Sequence, residues 1–266
     1  MKTFFKIALK ILTFAFLTIV TQIGGIAYLI SLFLNTKWKM NLKLKPLITF
    51  TSIYLFFTFL LIPIIAPIFG REKVIHNPKI CPTNYLTILL NRIYVRPSLN
   101  TLLLQTTRKL ENTTIKIHYL DANFPFINKF PLLPHLSHND GKKIDISLIY
   151  ENKKGEISTK QKSISGYGIF EHPKQGEYNQ IKRCIRKGYF QYDYPKYITF
   201  GSINSNLKFS KKGTKKLIQS ILNSPLLGKL FIEPHLKNRL HLDDKRIRYH
   251  GCRAVRHDDH IHIQLK

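Results

Sequence analysis

Residues Ile11–Leu34 read ILTFAFLTIVTQIGGIAYLISLFL, 24 residues without a charge. As a helix this run extends roughly 36 Å at about 1.5 Å per residue, enough to cross a hydrocarbon core of about 30 Å. A second uncharged run, Pro46–Phe69, follows the short connection NTKWKMNLKLK. Together they predict a two-helix transmembrane hairpin, about 11–34 and 46–69, occupying residues 1–69. A cleaved signal peptide is the competing reading of the first run. Its apolar stretch is longer than the usual h-region of about 7–15 residues, and no small-x-small cleavage site precedes the second run. Retained helices are therefore expected. Their orientation is not fixed by charge. Lys37, Lys39, Lys43 and Lys45 draw the connection to the cytoplasm and put Gly70 onward outside. The same arrangement would translocate Lys2, Lys6 and Lys10 with the N-terminus.

Past residue 69 the composition changes. The chain carries 42 Lys+Arg against 15 Asp+Glu, a net charge of +27, and all 15 acids lie beyond that point. The C-terminal portion alone is about +20. An acidic solvating protein is excluded, and 44% hydrophobic residues exclude wholesale disorder. Cys81, Cys184 and Cys252 are too few for a disulfide scaffold or a Cys-rich zinc module. At most one disulfide forms, and whether it joins Cys184 to Cys252 is open.

Residues 70–98 read as a juxtamembrane linker and 99–266 as one domain. Leu102–Leu110 has helical apolar spacing, while Ile115, Ile117 and Tyr119 alternate as in a half-buried strand. The passage NFPFINKFPLLPHLSH is too broken by proline for regular structure. Ile144–Tyr150 predicts a strand, and the Gly/Lys-rich 151–175 a loop or hairpin. Thr214 is the expected cap of a helix bearing Leu217, Ile218, Ile221 and Leu222. Leu226–Ile232 (strand), Pro234–Leu240 (helix) and His260–Leu265 (strand) complete the chain. Strands and helices do not alternate regularly, so the expected class is α+β with a small antiparallel sheet.

Eleven histidines concentrate the chemistry in two clusters. The first is SHNDGKKID, with His138 and Asp145 on either side of Gly141, where the backbone can turn. The second is HDDHIH, with His260 and His262 two residues apart on one face of the last strand. His138, Asp145 and His262 together supply two nitrogens and one oxygen. Three protein ligands and an open fourth position describe a catalytic zinc site. Asp140, Asp258 and Asp259 are expected beside the ligands or toward solvent.

The pair of motifs resembles that of the LAS-type zinc peptidases, and among them the penicillin-insensitive murein endopeptidases. SHNDGKKIDISLI is similar to their Ser-His-x-x-Gly-x-x-x-Asp segment, and RAVRHDDHIHIQL to their terminal His-Asp-x-His-x-His segment. KLFIEPHLKNRL resembles a segment between the two. The likeness covers roughly 124–150 and 216–266, leaving out the apolar helices and most of 151–213. It implies zinc as cofactor, held by His138, Asp145 and His262. It implies His257 or His260 as the base that takes the proton of the attacking water, and hydrolysis of D-amino-acid peptide bonds in peptidoglycan. Lys142, Lys143 and Ile144 depart from the more apolar and acidic residues usual before the ligand aspartate. Arg253 or Arg256 would steady a substrate carboxylate.

On this reading the chain is a membrane-anchored murein DD-endopeptidase of the bacterial inner (cytoplasmic) membrane, with its C-terminal domain outside the cytoplasm. A D-Ala-D-Ala carboxypeptidase and a non-catalytic protein binding the wall or the membrane surface are the alternatives. The excess of lysine suits the carboxylates of stem peptides and anionic lipid headgroups as partners. No nucleic-acid recognition motif accompanies it, so no specific nucleic acid is expected.

Overall fold

The computed structural model describes residues 2–38 and 43–266. Four helical segments come first: α1 (Lys2–Thr21), α2 (Gly24–Lys37), α3 (Lys45–Phe56) and α4 (Ile62–Ile65). They are followed by β1 (Glu72–Lys73), β2 (Ile80–Pro82), α5 (Leu86–Leu89), β3 (Tyr94–Val95), α6 (Pro97–Lys109), β4 (Ile117–Tyr119) and β5 (Lys143–Ser147). Next come β6 (Tyr150–Glu151), β7 (Ile157–Ser158), α7 (Gln180–Arg186), β8 (Lys208–Phe209) and α8 (Lys211–Leu222). The chain ends with β9 (Leu227–Phe231), α9 (Pro234–Arg239), β10 (Ile247–Arg248) and β11 (His260–Leu265). The class is α+β: N-terminal helices, then mixed sheets.

The expected straight helix over 11–34 is not formed. Gln22 takes φ +68, which a helix cannot continue through, and Thr21 Oγ1 accepts the Gly24 N–H at 2.8 Å. Beyond this turn the chain folds back. A Cβ on Gly25 would run into Thr18 and come 2.9 Å from the Phe14 ring, so only glycine lets the two helices approach. The uninterrupted apolar helices are instead Thr3–Thr21 and Lys45–Phe69, both long and apolar enough to cross a membrane. With 14 residues, α2 reaches only about 21 Å. The second apolar run stays helical to its end but changes pitch. Pro63 lacks an N–H and crowds the carbonyl four residues back, and the helix widens to a π turn at Phe57–Leu61 just before it. A 3-10 turn, Ala66–Phe69, and Gly70 at φ +69 close the run.

Two compact units result. In the first, α1–α4 pack with β1, α5, β3 and the irregular loop 122–141. Tyr54 donates to Leu89 O at 2.5 Å, and β1 pairs antiparallel with β3.

The second unit is built on a six-stranded sheet in the order β10-β9-β11-β5-β4-β2. β11 is antiparallel to β5 on one side and to β9 on the other. The sheet is mixed rather than antiparallel as expected, because β10 and β2 run parallel to their neighbours. Each parallel pair is joined through a helix, α9 between β9 and β10, α6 between β2 and β4, and a crossover of that kind returns the chain in the same direction. Residues 70–98, read as a linker, thus supply an edge strand of this sheet. Ile261 and Ile263 of β11 are fully buried, as are Ile144 and Ile146 of β5. α8 begins earlier than expected. Ser210 caps it by accepting the Gly213 N–H, while Thr214 lies inside the helix and its Oγ1 accepts the Ile149 N–H at 3.1 Å. Leu217, Ile218 and Ile221 form its buried face, as the spacing predicts. β6, β7 and β8 make a small second sheet, and a disulfide joins Cys184 of α7 to Cys252.

Candidate metal centre

β5 and β11 bring the two motifs together. Their antiparallel register sets His262 directly opposite Asp145, so the two side chains stand on one face. His262 Nδ1 lies 2.8 Å from Asp145 Oδ1. His138 follows a short turn, with its backbone N–H bonded to His135 O at 2.9 Å. Its Nδ1 meets Ala122 O at 2.7 Å; a carbonyl only accepts, so Nδ1 carries the proton and Nε2 is the nitrogen with a lone pair to offer a metal. Gly141 adopts φ +77 between His138 and Asp145, the turn its position predicts.

One ligand atom from each of His138, Asp145 and His262 lies within 4.8 Å of the others, and all three residues are buried. Ligands of a tetrahedral zinc stand about 3.3 Å apart at bonds of about 2.0–2.1 Å, so small side-chain adjustments close the set around one ion. Two imidazoles and a carboxylate are borderline donors suited to a divalent transition metal. By donor type, spacing and burial, the triad can hold a metal ion.

The surroundings hold the triad in place. Tyr167 donates its hydroxyl to Asp145 Oδ2 at 2.9 Å and accepts the Asp121 N–H at 3.1 Å. Burial first, then the Asp145 charge, pushes the Tyr167 phenol well above its ordinary value, so it stays a donor. His260 lies 3.7 Å from Asp145 Oδ2 through Nε2, and its Nδ1 meets Asp259 Oδ1 at 2.5 Å. Asp259 is itself fixed by the Gly168 N–H at 2.6 Å. Burial opposes the charged form of His260, but Asp259 and Asp145 outweigh it and raise the ring to about 9. His257 sits with its ring 4.8 Å from that of His260 and 5.5 Å from that of His250, on which it stacks. Burial, reinforced by the neighbouring histidines, drops its pKa well below the ordinary value, so its imidazole is neutral.

The expected substrate arginines part company. Arg253 is exposed. Arg256 is 2% exposed and already committed: it donates to both oxygens of Asp258, to Asp193 Oδ1 at 2.6 Å, and covers the Phe170 ring. Its guanidinium organises the interior and does not face a substrate. Asp258 and Asp259 are fully buried, one paired with Arg256 and the other with His260; neither faces solvent.

Three residues escaped the sequence reading. Tyr167 lies in the Gly/Lys-rich stretch treated as loop, but Gly166 and Gly168 on either side both take positive φ, and a large aromatic between two glycines was the available signal. Glu233 accepts the His257 N–H at 3.0 Å and the Tyr192 hydroxyl at 2.5 Å. Burial and the nearby Asp258 raise its pKa to about 7. His250 is exposed and stacks on His257. No protein-family model matches this chain, and no characterised protein matches it in sequence.

Proposed function

We propose that the protein is a membrane-anchored, zinc-dependent peptidase acting on D-amino-acid peptide bonds of peptidoglycan. The observation that carries the reading is the convergence of His138, Asp145 and His262, drawn from two separate motifs, on one buried point. When bound there, zinc polarises a carbonyl and lowers the pKa of water toward about 7. The chain's own residues supply the rest. His260, oriented by Asp259 through Nδ1, presents Nε2 beside Asp145 as the group that takes the water proton and returns it to the leaving amine. Asp145, were it to share its charge with a cation, would contribute less to the elevated pKa of His260, so that more of the ring would be neutral and able to accept a proton. Neutral His257 lies alongside as a hydrogen-bond donor for the developing oxyanion. The peptidoglycan substrate rests on the resemblance of the two motifs and on the net positive charge.

The turn at Gln22 supports an external domain. Were the chain to return across the membrane between the turn at Gln22 and Lys45, Lys2, Lys6 and Lys10 would fall on the same side as Lys37, Lys43 and Lys45. The positive-inside tendency would then put that side in the cytoplasm and the chain after Gly70 outside. A disulfide between Cys184 and Cys252 suits an oxidising compartment. The decisive experiment uses the full chain in detergent: one zinc per chain by metal analysis, and chelator-sensitive release of fragments from cross-linked muropeptides. Absence of bound metal at neutral pH overturns the proposal. Sacculus binding without cleavage, indifferent to chelator, selects a non-catalytic wall-binding protein.

A further inference from the structure

The loop that carries His138 is gripped at three points by the N-terminal helices and the residues that directly follow them. Gln22, in the turn between α1 and α2, accepts the Phe126 N–H on its side-chain oxygen at 2.9 Å. Phe69, the last residue of the second apolar helix, places its ring 5.0 Å from that of Phe126. Arg71 is 2% exposed and donates to Phe124 O, to Asn128 Oδ1 at 2.6 Å and to Asn139 O at 3.5 Å. It therefore binds both limbs of the loop, the entry at 124–128 and the exit at Asn139, next to His138.

These contacts cost energy to build. A non-glycine residue at positive φ is strained, yet Gln22 sits at φ +68 and uses its side chain on the loop. A buried guanidinium is expensive unless its donors find acceptors, and those of Arg71 are met by the loop. Gly141, where the loop rejoins β5, is held against the same side chain: a Cβ there would lie 3.2 Å from Arg71 Nε. A metal ligand on an irregular loop must be fixed to within about 0.5 Å. His138 has no sheet register to do this, unlike Asp145 and His262.

We propose that Gln22 and Arg71 are positioning residues of the metal centre, so that the N-terminal helices hold the His138 loop in ligating position as well as anchoring the chain. The inference rests on the metal reading of His138, Asp145 and His262.

The test uses the full chain in detergent with Co²⁺ as probe, reading both affinity and ligand-field absorption. Q22L and R71Q are expected to weaken Co²⁺ binding at least tenfold and to change the absorption toward that of His138→Ala, with far-UV circular dichroism unchanged. Q22E keeps an acceptor oxygen for the Phe126 N–H and is expected to bind within about twofold of the unaltered chain. Leu217→Ala lowers stability from the buried face of α8 and is expected to leave affinity unchanged, which separates positioning from general destabilisation. If R71Q does not fold, Q22L and Q22E carry the comparison. An unaltered chain that binds no Co²⁺ overturns the metal reading and this inference together. A chain that binds Co²⁺, loses it with His138→Ala, and keeps affinity and spectrum in Q22L and R71Q overturns this inference alone.

Discussion

Tyr167 donates its hydroxyl to Asp145 Oδ2 at 2.9 Å while His262 holds Oδ1 of the same carboxylate at 2.8 Å. Both oxygens of the one acidic candidate ligand are thus oriented by neighbours, and only one of those neighbours, His262, belongs to the candidate metal group. Hydrogen bonds of this kind to a ligand typically change metal affinity by about 10–100-fold when removed. Tyr167→Phe is expected to weaken zinc binding within that range, measured by competition with a chromophoric chelator. It also strands the Asp121 N–H, so a stability loss of about 1–3 kcal/mol accompanies it.

Metal binding and folding should be linked, because the three candidate ligands come from two segments far apart in the chain. With free zinc at 100 times its dissociation constant, the folded state gains about 2.7 kcal/mol. Chelation is expected to lower Tm in the unaltered chain, while His138→Ala, Asp145→Asn and His262→Ala each remove the response. A thermal scan with and without chelator checks this, and a chelator shift that persists in all three variants would place the metal elsewhere.

The pH dependence of stability carries the mark of Glu233. Its carboxyl is raised to about 7 in the fold, largely by burial, above an unfolded value of about 4.3. Between these values the native state holds more protons than the unfolded state, so stability falls as pH rises through the window. Glu233→Gln keeps an acceptor for Tyr192 and His257 and removes the titration. Its stability curve is expected to be flatter between about pH 4 and 8, with a gain of order 1–3 kcal/mol at the alkaline end. Urea unfolding at several pH values reads the difference.

The disulfide closes a long stretch, from Cys184 to Cys252, a separation of 68 residues. Loop-closure entropy at this length gives a stabilisation of about 4 kcal/mol, the upper part of the usual range. Replacing both cysteines by alanine is expected to lower stability accordingly. Alkylation of the denatured, unreduced chain should label one thiol, Cys81, and reduction should expose all three.

What the sequence made readable were features set by short-range rules. β11 showed itself through strict alternation, with Ile261 and Ile263 against His260 and His262, and pairing opposite β5 then put His262 beside Asp145. Two elements obeyed longer-range rules and were missed. Parallel β2 and β10 depend on where the crossover helices α6 and α9 return the chain, which no local pattern encodes. The break at Gln22 was hidden because mean hydropathy records apolar content and not direction. The polar Gln22 followed by Gly24 and Gly25 was the visible sign that the helix could stop there. Tyr167 was masked similarly, an aromatic ligand-holder inside a segment whose glycines and lysines read as loop.

That same break generates the prediction about sidedness. A straight first helix would set Lys2, Lys6 and Lys10 across the membrane from Lys37, Lys43 and Lys45, and the two clusters would pull in opposite directions. A chain that returned across the membrane after Gln22 would remove the conflict, since both clusters would then favour the cytoplasmic side. A reporter that is active only outside the cytoplasm, fused after Lys266, is expected to be active. Replacing Lys37, Lys43 and Lys45 by glutamine should weaken this preference only in part, because Lys2, Lys6 and Lys10 act in the same sense. Under a straight first helix the same replacement would hand control to the N-terminal cluster and invert the topology. An active reporter in the unaltered chain that falls silent in the triple variant would therefore show that α1 and α2 do not turn back on one another in the membrane.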